Sequence, residues 1–137
     1  MPDYKKPIPT ITPEMRPFYE AAKRHELVVQ RCASCGTYRF PARDICSNCL
    51  SRESRWAKVS GRGEVFSFNV MHQVSQPGFA AEVPYAVVLV KLAEGAKLNT
   101  NLVGVKPHDI KIGMPVEVVF EDITDEVTLP KFRPLDA

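Results

Sequence analysis

Four cysteines constrain the fold of this chain more than any other feature. They form two pairs separated by ten residues, in the pattern C-x2-C-x10-C-x2-C: Cys32, Cys35, Cys46 and Cys49. Two residues between cysteines allow a tight turn to aim both sulfurs at one point, and two such turns supply four thiolates to a tetrahedral metal ion. With strands expected at 27–31 and 37–41 around the first pair, the pattern predicts a rubredoxin-like zinc ribbon. Four thiolates leave no open coordination position, so the zinc would be structural.

Two other uses of the cysteines remain open. The first is a pair of disulfides, which the cytoplasm disfavours. We expect a cytoplasmic protein because the first 30 residues lack a basic-then-apolar signal pattern. The second is iron in place of zinc, which would make the chain a red, rubredoxin-like electron carrier.

Length and charge narrow the function classes. The 137 residues allow one small domain with an appendage, and 45% hydrophobic and 25% charged residues are typical of globular proteins. No apolar run approaches the roughly 18 residues of a membrane span. Residues 1–58 hold eleven basic and six acidic side chains (+5), whereas residues 59–137 hold seven and ten (−3), which together give +2. So small a net charge argues against a nucleic-acid binder.

A change in composition near Trp56 separates a basic, cysteine-containing part from alternating apolar runs. We therefore predict an arm and helix at 1–26, a zinc ribbon at 27–55 and a second module at 56–137. The helix is expected over 13–26, with its regular part beginning at Pro13 or at Pro17, and its apolar positions recur at helical spacing. Its aromatic residues either pack on the core of this chain or dock on another subunit.

The sequence pattern of the second module predicts five strands, at 63–70, 85–92, 97–105, 115–120 and 128–135, with a short connector at 107–113. This order is typical of an OB-fold barrel, so the fold class is mainly β. Alternation in the first of these strands predicts Val65 on one face and Phe66 and Phe68 on the other. The long loop over 72–84 is expected to be a binding element.

Nothing in the sequence predicts independent catalysis. The metal would occupy all four cysteines, and the three histidines lie in separate segments without a catalytic motif: His25, His72 and His108. Neither a phosphate-binding glycine-rich loop nor a dinucleotide-binding motif is present.

The ordered motifs resemble those of the zinc-ribbon OB-fold, acyl-CoA-associated proteins. The similarity covers about residues 13–135 and rests on "LVVQRCASCGTYRFPARDICSNC", "WAKVSGRGEVFSFNV", "VPYAVVLVKLAEG", "IGMPVEVVF" and "LPKFRP". Members of this family look like small accessory subunits of thiolase-superfamily enzymes, which include thiolases, steroid side-chain aldolases and acyltransferases. One departure is Ser47, where members often have proline. A second is that the 137 residues contain no hydratase-like domain, from which we expect a free thiolase subunit rather than the steroid-aldolase form.

The resemblance implies a non-catalytic zinc-binding subunit of a complex that makes or cleaves C–C bonds in acyl-CoA, such as a β-ketoacyl-CoA or benzoylsuccinyl-CoA thiolase. The thiolase-fold partner would supply the catalytic cysteine and histidines, in a heterotetramer that binds the CoA thioester as a shared ligand. This chain would stabilise the partner and help form the acyl-CoA channel.

Candidate contact residues follow from charge and aromatic character. Arg39 and Arg43, between the cysteine pairs, are candidates for the CoA phosphates. The candidates for the partner or the acyl group are Phe18, Tyr19 and Phe79, with Phe66 and Phe68 as further aromatic residues that either do this or fill the barrel. Tyr4 in the arm and the tail 131–133 are also expected to contact the partner. The alternative function is a single-stranded nucleic-acid-binding module, which would need a basic barrel face, against the −3 charge of this half.

Overall fold

The computed structural model describes residues 6–73 and 77–135, and in these ranges the fold is mainly β, as predicted. A helix, α1 (Arg16–Lys23), precedes a three-stranded antiparallel sheet, in the order β2-β1-β3. The strands of this ribbon sheet are β1 (Val28–Cys32), β2 (Tyr38–Arg39) and β3 (Ser54–Lys58). Tyr4, predicted to contact a partner, lies outside the described residues.

The second sheet forms a nearly closed, five-stranded, OB-like barrel in the order β6-β5-β4-β7-β8. Its strands are β4 (Arg62–Met71), β5 (Tyr85–Leu92), β6 (Lys97–Asn101), β7 (Pro115–Asp122) and β8 (Thr128–Pro134). Short 3-10 turns lie at Pro77–Phe79 and Pro107–Asp109. The predicted OB fold is therefore confirmed, with the third strand ending at Asn101 rather than at residue 105.

β8 closes the barrel rather than forming an exposed edge. Leu102 and Phe132 form a parallel bridge, and the N–H of Val103 donates to the carbonyl of Phe132 at 2.8 Å. The expectation that the tail 131–133 contacts the partner was wrong for Phe132, which is fully buried in the core of this chain. Its two neighbours form ion pairs across the hairpin, Lys131 with Glu121 and Arg133 with Glu117. The tail 131–133 therefore stabilises the barrel through this burial and these ion pairs.

β3 is a strand that we did not predict. It pairs with β1 along its whole length, from Val28 opposite Lys58 to Cys32 opposite Ser54. It therefore crosses the position between residues 55 and 56 at which the ribbon was predicted to end. That boundary remains a prediction, but the ribbon sheet extends to Lys58.

A β-bulge in β4 overturns the predicted faces of this strand. The pairing with β5 shifts by one residue between Val65 and Ser67, so Phe66 occupies an extra position. Because the bulge interrupts the alternation, Val65 and Phe68 both pack on the core, whereas Phe66 is 45% exposed with the Lys97 ammonium over its ring. The prediction that Phe66 and Phe68 share a face was wrong.

α1 packs on its own chain. Phe18, Ala21 and Ala22 are buried, and the Phe18 ring lies 5.2 Å from Tyr19 and 4.9 Å from Phe40 between ring centroids. The helix begins at Arg16, close to the predicted start at Pro17. In the described part of the chain, no helix is long and apolar enough to cross a membrane.

Candidate metal centre

The two cysteine pairs form matching turns. In the first, the N–H of Cys32 donates to Thr37 at 2.9 Å and the N–H of Gly36 donates back to the Cys32 carbonyl at 3.0 Å. In the second, the N–H of Cys46 donates to Ser51 and that of Leu50 donates to the Cys46 carbonyl, both at 2.9 Å. The same residue spacing thus produces the same backbone turn twice, as predicted for a pair of metal-binding knuckles.

The four sulfurs converge on one point. All of them lie within 4.8 Å of one another, with Cys32 and Cys49 at 3.6 Å and Cys35 and Cys46 at 3.7 Å. The sulfurs of a zinc tetrathiolate with Zn–S bonds of about 2.3 Å are about 3.8 Å apart. These sulfurs are too distant for disulfides, whose S–S bond is about 2.05 Å, and all four cysteines are free thiols. The disulfide alternative was wrong, and the donor set fits a tetrahedral metal ion.

Hydrogen-bond donors around the site favour the thiolate form of Cys32 and Cys35. Backbone N–H groups approach two of them, from Cys35 to the Cys32 sulfur at 3.5 Å and from Asn48 to the Cys46 sulfur at 3.4 Å. The side-chain amide of Asn48 and the hydroxyl of Thr37 lower the pKa of Cys35 to about 5. The N–H of Cys35 lowers the pKa of Cys32. Donors of this kind favour thiolates, the form in which cysteine binds metals.

Sequence reasoning missed these supporting side chains. Asn48 lies 3.5 Å from the Cys35 sulfur and 3.4 Å from the Thr37 hydroxyl, so it links the second knuckle to the first. The hydroxyls of Ser34 and Ser51 form a second link at 2.9 Å. The only signal for them was their position inside or next to the cysteine pairs, where small polar residues reach sulfur.

The structure places the two candidate arginines differently. Arg39 is only 9% exposed. Its Nε donates to the Gln30 side chain and its Nη2 to the Arg43 carbonyl, both at 2.8 Å. The Gln30 oxygen also accepts from the backbone N–H of Arg43 at 2.8 Å, so these three residues brace the loop between the knuckles. The side chain of Arg43 is exposed, which leaves it available to an anion, whereas that of Arg39 is committed to the fold.

The three aromatic candidates line two neighbouring clefts. Phe18 and Tyr19 line one of about 300 Å³ between α1, β6 and β8. Phe79, stacked on Tyr85 with ring centroids 5.1 Å apart, lines another of about 270 Å³. Both clefts share the segment 99–101 of β6. The fold therefore brings the three candidates to one side of the barrel, although none of them lies beside the cysteines.

The three histidines form no cluster in the described residues. His25 follows α1 and contacts Asp122 at 3.1 Å while stacking on Phe120. His108 lies 3.5 Å from Asp109, and His72 is exposed after β4. Each histidine thus belongs to a different part of the surface.

Two family models match adjacent parts of this chain. Residues 20–55 match the model described as "ChsH2, rubredoxin-like zinc ribbon domain", and residues 56–121 match "ChsH2, C-terminal OB-fold domain". A solved structure, "Ltp2-ChsH2(DUF35) aldolase", covers 94% of this chain with a TM-score of 0.83 and 43% sequence identity, and 100% of that chain is matched.

Three curated relatives are each similar to more than half of this chain. A "Probable enoyl-CoA hydratase alpha subunit" of Thermomonospora curvata is 44% identical over 97% of this chain, but this chain spans only 41% of its length. A "DUF35 domain-containing scaffold protein" of Methanocaldococcus jannaschii is 36% identical over 89% of this chain and 91% of its own. A "Benzoylsuccinyl-CoA thiolase subunit BbsA" of Geobacter metallireducens is 35% identical over 54% of this chain and 48% of its own.

Proposed function

This chain belongs to the DUF35 family of zinc-ribbon, OB-fold scaffold proteins, because it matches both ChsH2 family models and is similar to a DUF35 scaffold protein. From this membership we propose that it is the non-catalytic subunit of a thiolase-fold enzyme complex. The complex would form or cleave a C–C bond in an acyl-CoA substrate. The catalytic cysteine and histidines would lie on the partner, and the complex would work in the cytoplasm.

The convergence of the four cysteine sulfurs within 4.8 Å supports the non-catalytic part of this proposal. A zinc ion held by Cys32, Cys35, Cys46 and Cys49 would have all four coordination positions filled by protein, so it would stabilise the ribbon without activating water. The described residues offer no second group of three or more metal-ligating side chains. A scaffold role therefore fits the chain better than a catalytic one.

The relatives support both an aldolase and a thiolase as the partner. The structure named as an Ltp2-ChsH2(DUF35) aldolase is 43% identical to this chain, whereas the thiolase subunit BbsA is 35% identical over a shorter segment. On identity, an aldolase-type partner is the first to test, which reverses the preference expected from the sequence. The heterotetramer is a further part of this proposal.

Two features support a contribution to the CoA channel. The clefts beside segment 99–101 combine aromatic walls with amide and hydroxyl groups, which suits a chain that is partly apolar and partly polar, such as the pantetheine arm and its acyl group. Tyr19 and Phe79 would contact this arm or the partner, whereas Phe18, which is buried in the core, would support the cleft wall from inside. Arg43 would bind a phosphate of CoA. Arg39 would act indirectly, by bracing the loop that carries Arg43.

Co-purification from the native host tests the proposal. A tagged full-length chain should co-elute with a thiolase-fold protein at near-equal stoichiometry, with one zinc per copy of this chain, as measured by mass spectrometry and elemental analysis. Light scattering on the complex would check the heterotetramer. Elution of the chain alone, or with nucleic acid, would contradict the subunit role.

A further inference from the structure

The two knuckles differ at one equivalent position. Gly36 follows the first cysteine pair with φ of +79°, as the turn requires. Leu50 occupies the same place after the second pair and adopts nearly the same backbone, with φ of +67°. Glycine adopts positive φ without penalty, whereas a leucine side chain is disfavoured there by its Cβ. The second knuckle therefore holds a leucine in a backbone conformation that its side chain disfavours.

The Leu50 side chain is hardly buried by its own chain, so packing does not offset the strain in its backbone. It is 75% exposed, which is the largest exposure of any large hydrophobic residue in the described part of the chain. Ile45, just before the second pair, is 40% exposed. The turn thus presents two branched aliphatic side chains to the outside, one of them on a strained backbone. Strain of this kind is kept where the surroundings or a function maintain it.

From this geometry we infer that Leu50 and Ile45 form an apolar anchor by which the second knuckle docks into a pocket of the catalytic partner. The inference rests on the proposed function, since it names the contact through which that partner is held. Anchors of this type concentrate binding energy in a few desolvated side chains.

The charges around the anchor specify the chemistry of the pocket. Arg52 and Arg55 follow the anchor in the chain and are exposed, as are Asp44 and Glu53, and neither arginine is within ion-pair distance of a carboxylate in residues 6–73 and 77–135. A second copy of this chain, docked symmetrically, would place these arginines against one another. The occupant is therefore a different protein, the catalytic partner, with an aliphatic pocket and with carboxylates opposite Arg52 and Arg55.

Substitutions at Leu50 separate docking from folding. Leu50→Gly and Leu50→Asn remove the apolar side chain, and both new residues tolerate positive φ. In the zinc-loaded free chain, we expect one bound zinc and a melting temperature no lower than that of the wild type. The dissociation constant for the purified catalytic subunit, measured by calorimetry, should rise about tenfold or more. Leu50→Met, which keeps an apolar side chain of similar volume, should bind within about threefold of the wild type.

The possible failures can be told apart. If the wild-type chain binds no catalytic subunit, the proposed function fails and the anchor fails with it. If the wild type binds and Leu50→Gly or Leu50→Asn binds equally well, only the anchor is wrong. Zinc loss or a lower melting temperature in both variants would instead assign Leu50 to the ribbon's own fold. A wild-type free chain that is a dimer, and becomes a monomer on Leu50→Gly, would make the occupant a second copy and overturn the inference.

Discussion

Individual donors around each sulfur show how closely the metal site depends on single residues. The Cys32 sulfur lies beside Cys49 and accepts from the N–H of Cys35, so it takes part in both halves of the site. An oxygen in place of this sulfur is a poorer zinc ligand in a thiolate site. The effect of one substitution should therefore extend to both knuckles.

We predict that Cys32→Ser loses the bound zinc and has a lower melting temperature, because zinc binding supplies much of the folding free energy of such small modules. Elemental analysis and thermal unfolding would measure both effects. Ser47→Ala, in the second knuckle but not a ligand, is the matched control and should keep one zinc. Retention of one zinc and of the wild-type melting temperature by Cys32→Ser would refute the metal site.

At the scale of elements, α1 decides between two interpretations of the aromatic residues. Phe18 is only 4% exposed and belongs to the hydrophobic core with residues of the barrel. Its removal therefore leaves a cavity inside this chain, not merely a smaller surface for a partner. The structure thus favours packing on the chain's own core for Phe18, while Tyr19, half-buried at the cleft, remains a candidate for contact.

We predict that Phe18→Ala lowers the free energy of unfolding by about 3 kcal/mol or more. Glu20→Ala, on the exposed side of the same helix, should change it by less than about 0.5 kcal/mol. Urea unfolding of the zinc-loaded chain would measure both values. Normal stability of Phe18→Ala together with lost partner binding would show that this residue is a docking residue instead.

Regular patterns in the sequence predicted most elements, and local exceptions were missed. The bounds of β5 at Tyr85–Leu92 were predicted to the residue, because its apolar run is continuous and bounded by turn signals. The bulge at Phe66 was missed because residues 66–70 alternate regularly, and the two consecutive apolar residues Val65 and Phe66 do not by themselves show which residue is extra. The pairing with β5 identifies it as Phe66. The burial of Arg39 was missed for a related reason. Its partner, Gln30, is fixed by the register of β1 and β2, in which the two residues are paired.

At the scale of the whole molecule, the ribbon and the barrel share one core. Leu27 and Val29 lie in the same buried cluster as Val65 and Val88 of the barrel. The first knuckle begins at the end of β1, so the metal ligand Cys32 is covalently continuous with a strand of that core. Disturbing the metal should therefore disturb the barrel as well.

We predict a single cooperative unfolding transition that shifts as a whole to lower temperature when zinc is chelated. Trp56, the sole tryptophan, lies on β3 of the ribbon sheet, so its fluorescence reports on the ribbon. Far-UV circular dichroism is dominated by the larger barrel. Coincident midpoints from both signals, with and without chelator, are the expected result. Separate midpoints would mean that the two parts unfold independently.

β3 also determines where relatives of this chain can be recombined. A chimera joined between residues 55 and 56 would take one strand from two parents, because β3 runs from Ser54 to Lys58. Val59 still belongs to the ribbon side by its hydrogen bond, since its N–H donates to the Leu27 carbonyl at 3.0 Å. β4 begins at Arg62. The crossover point that divides no strand and no pair of hydrogen-bonded strands is therefore between Val59 and Ser60.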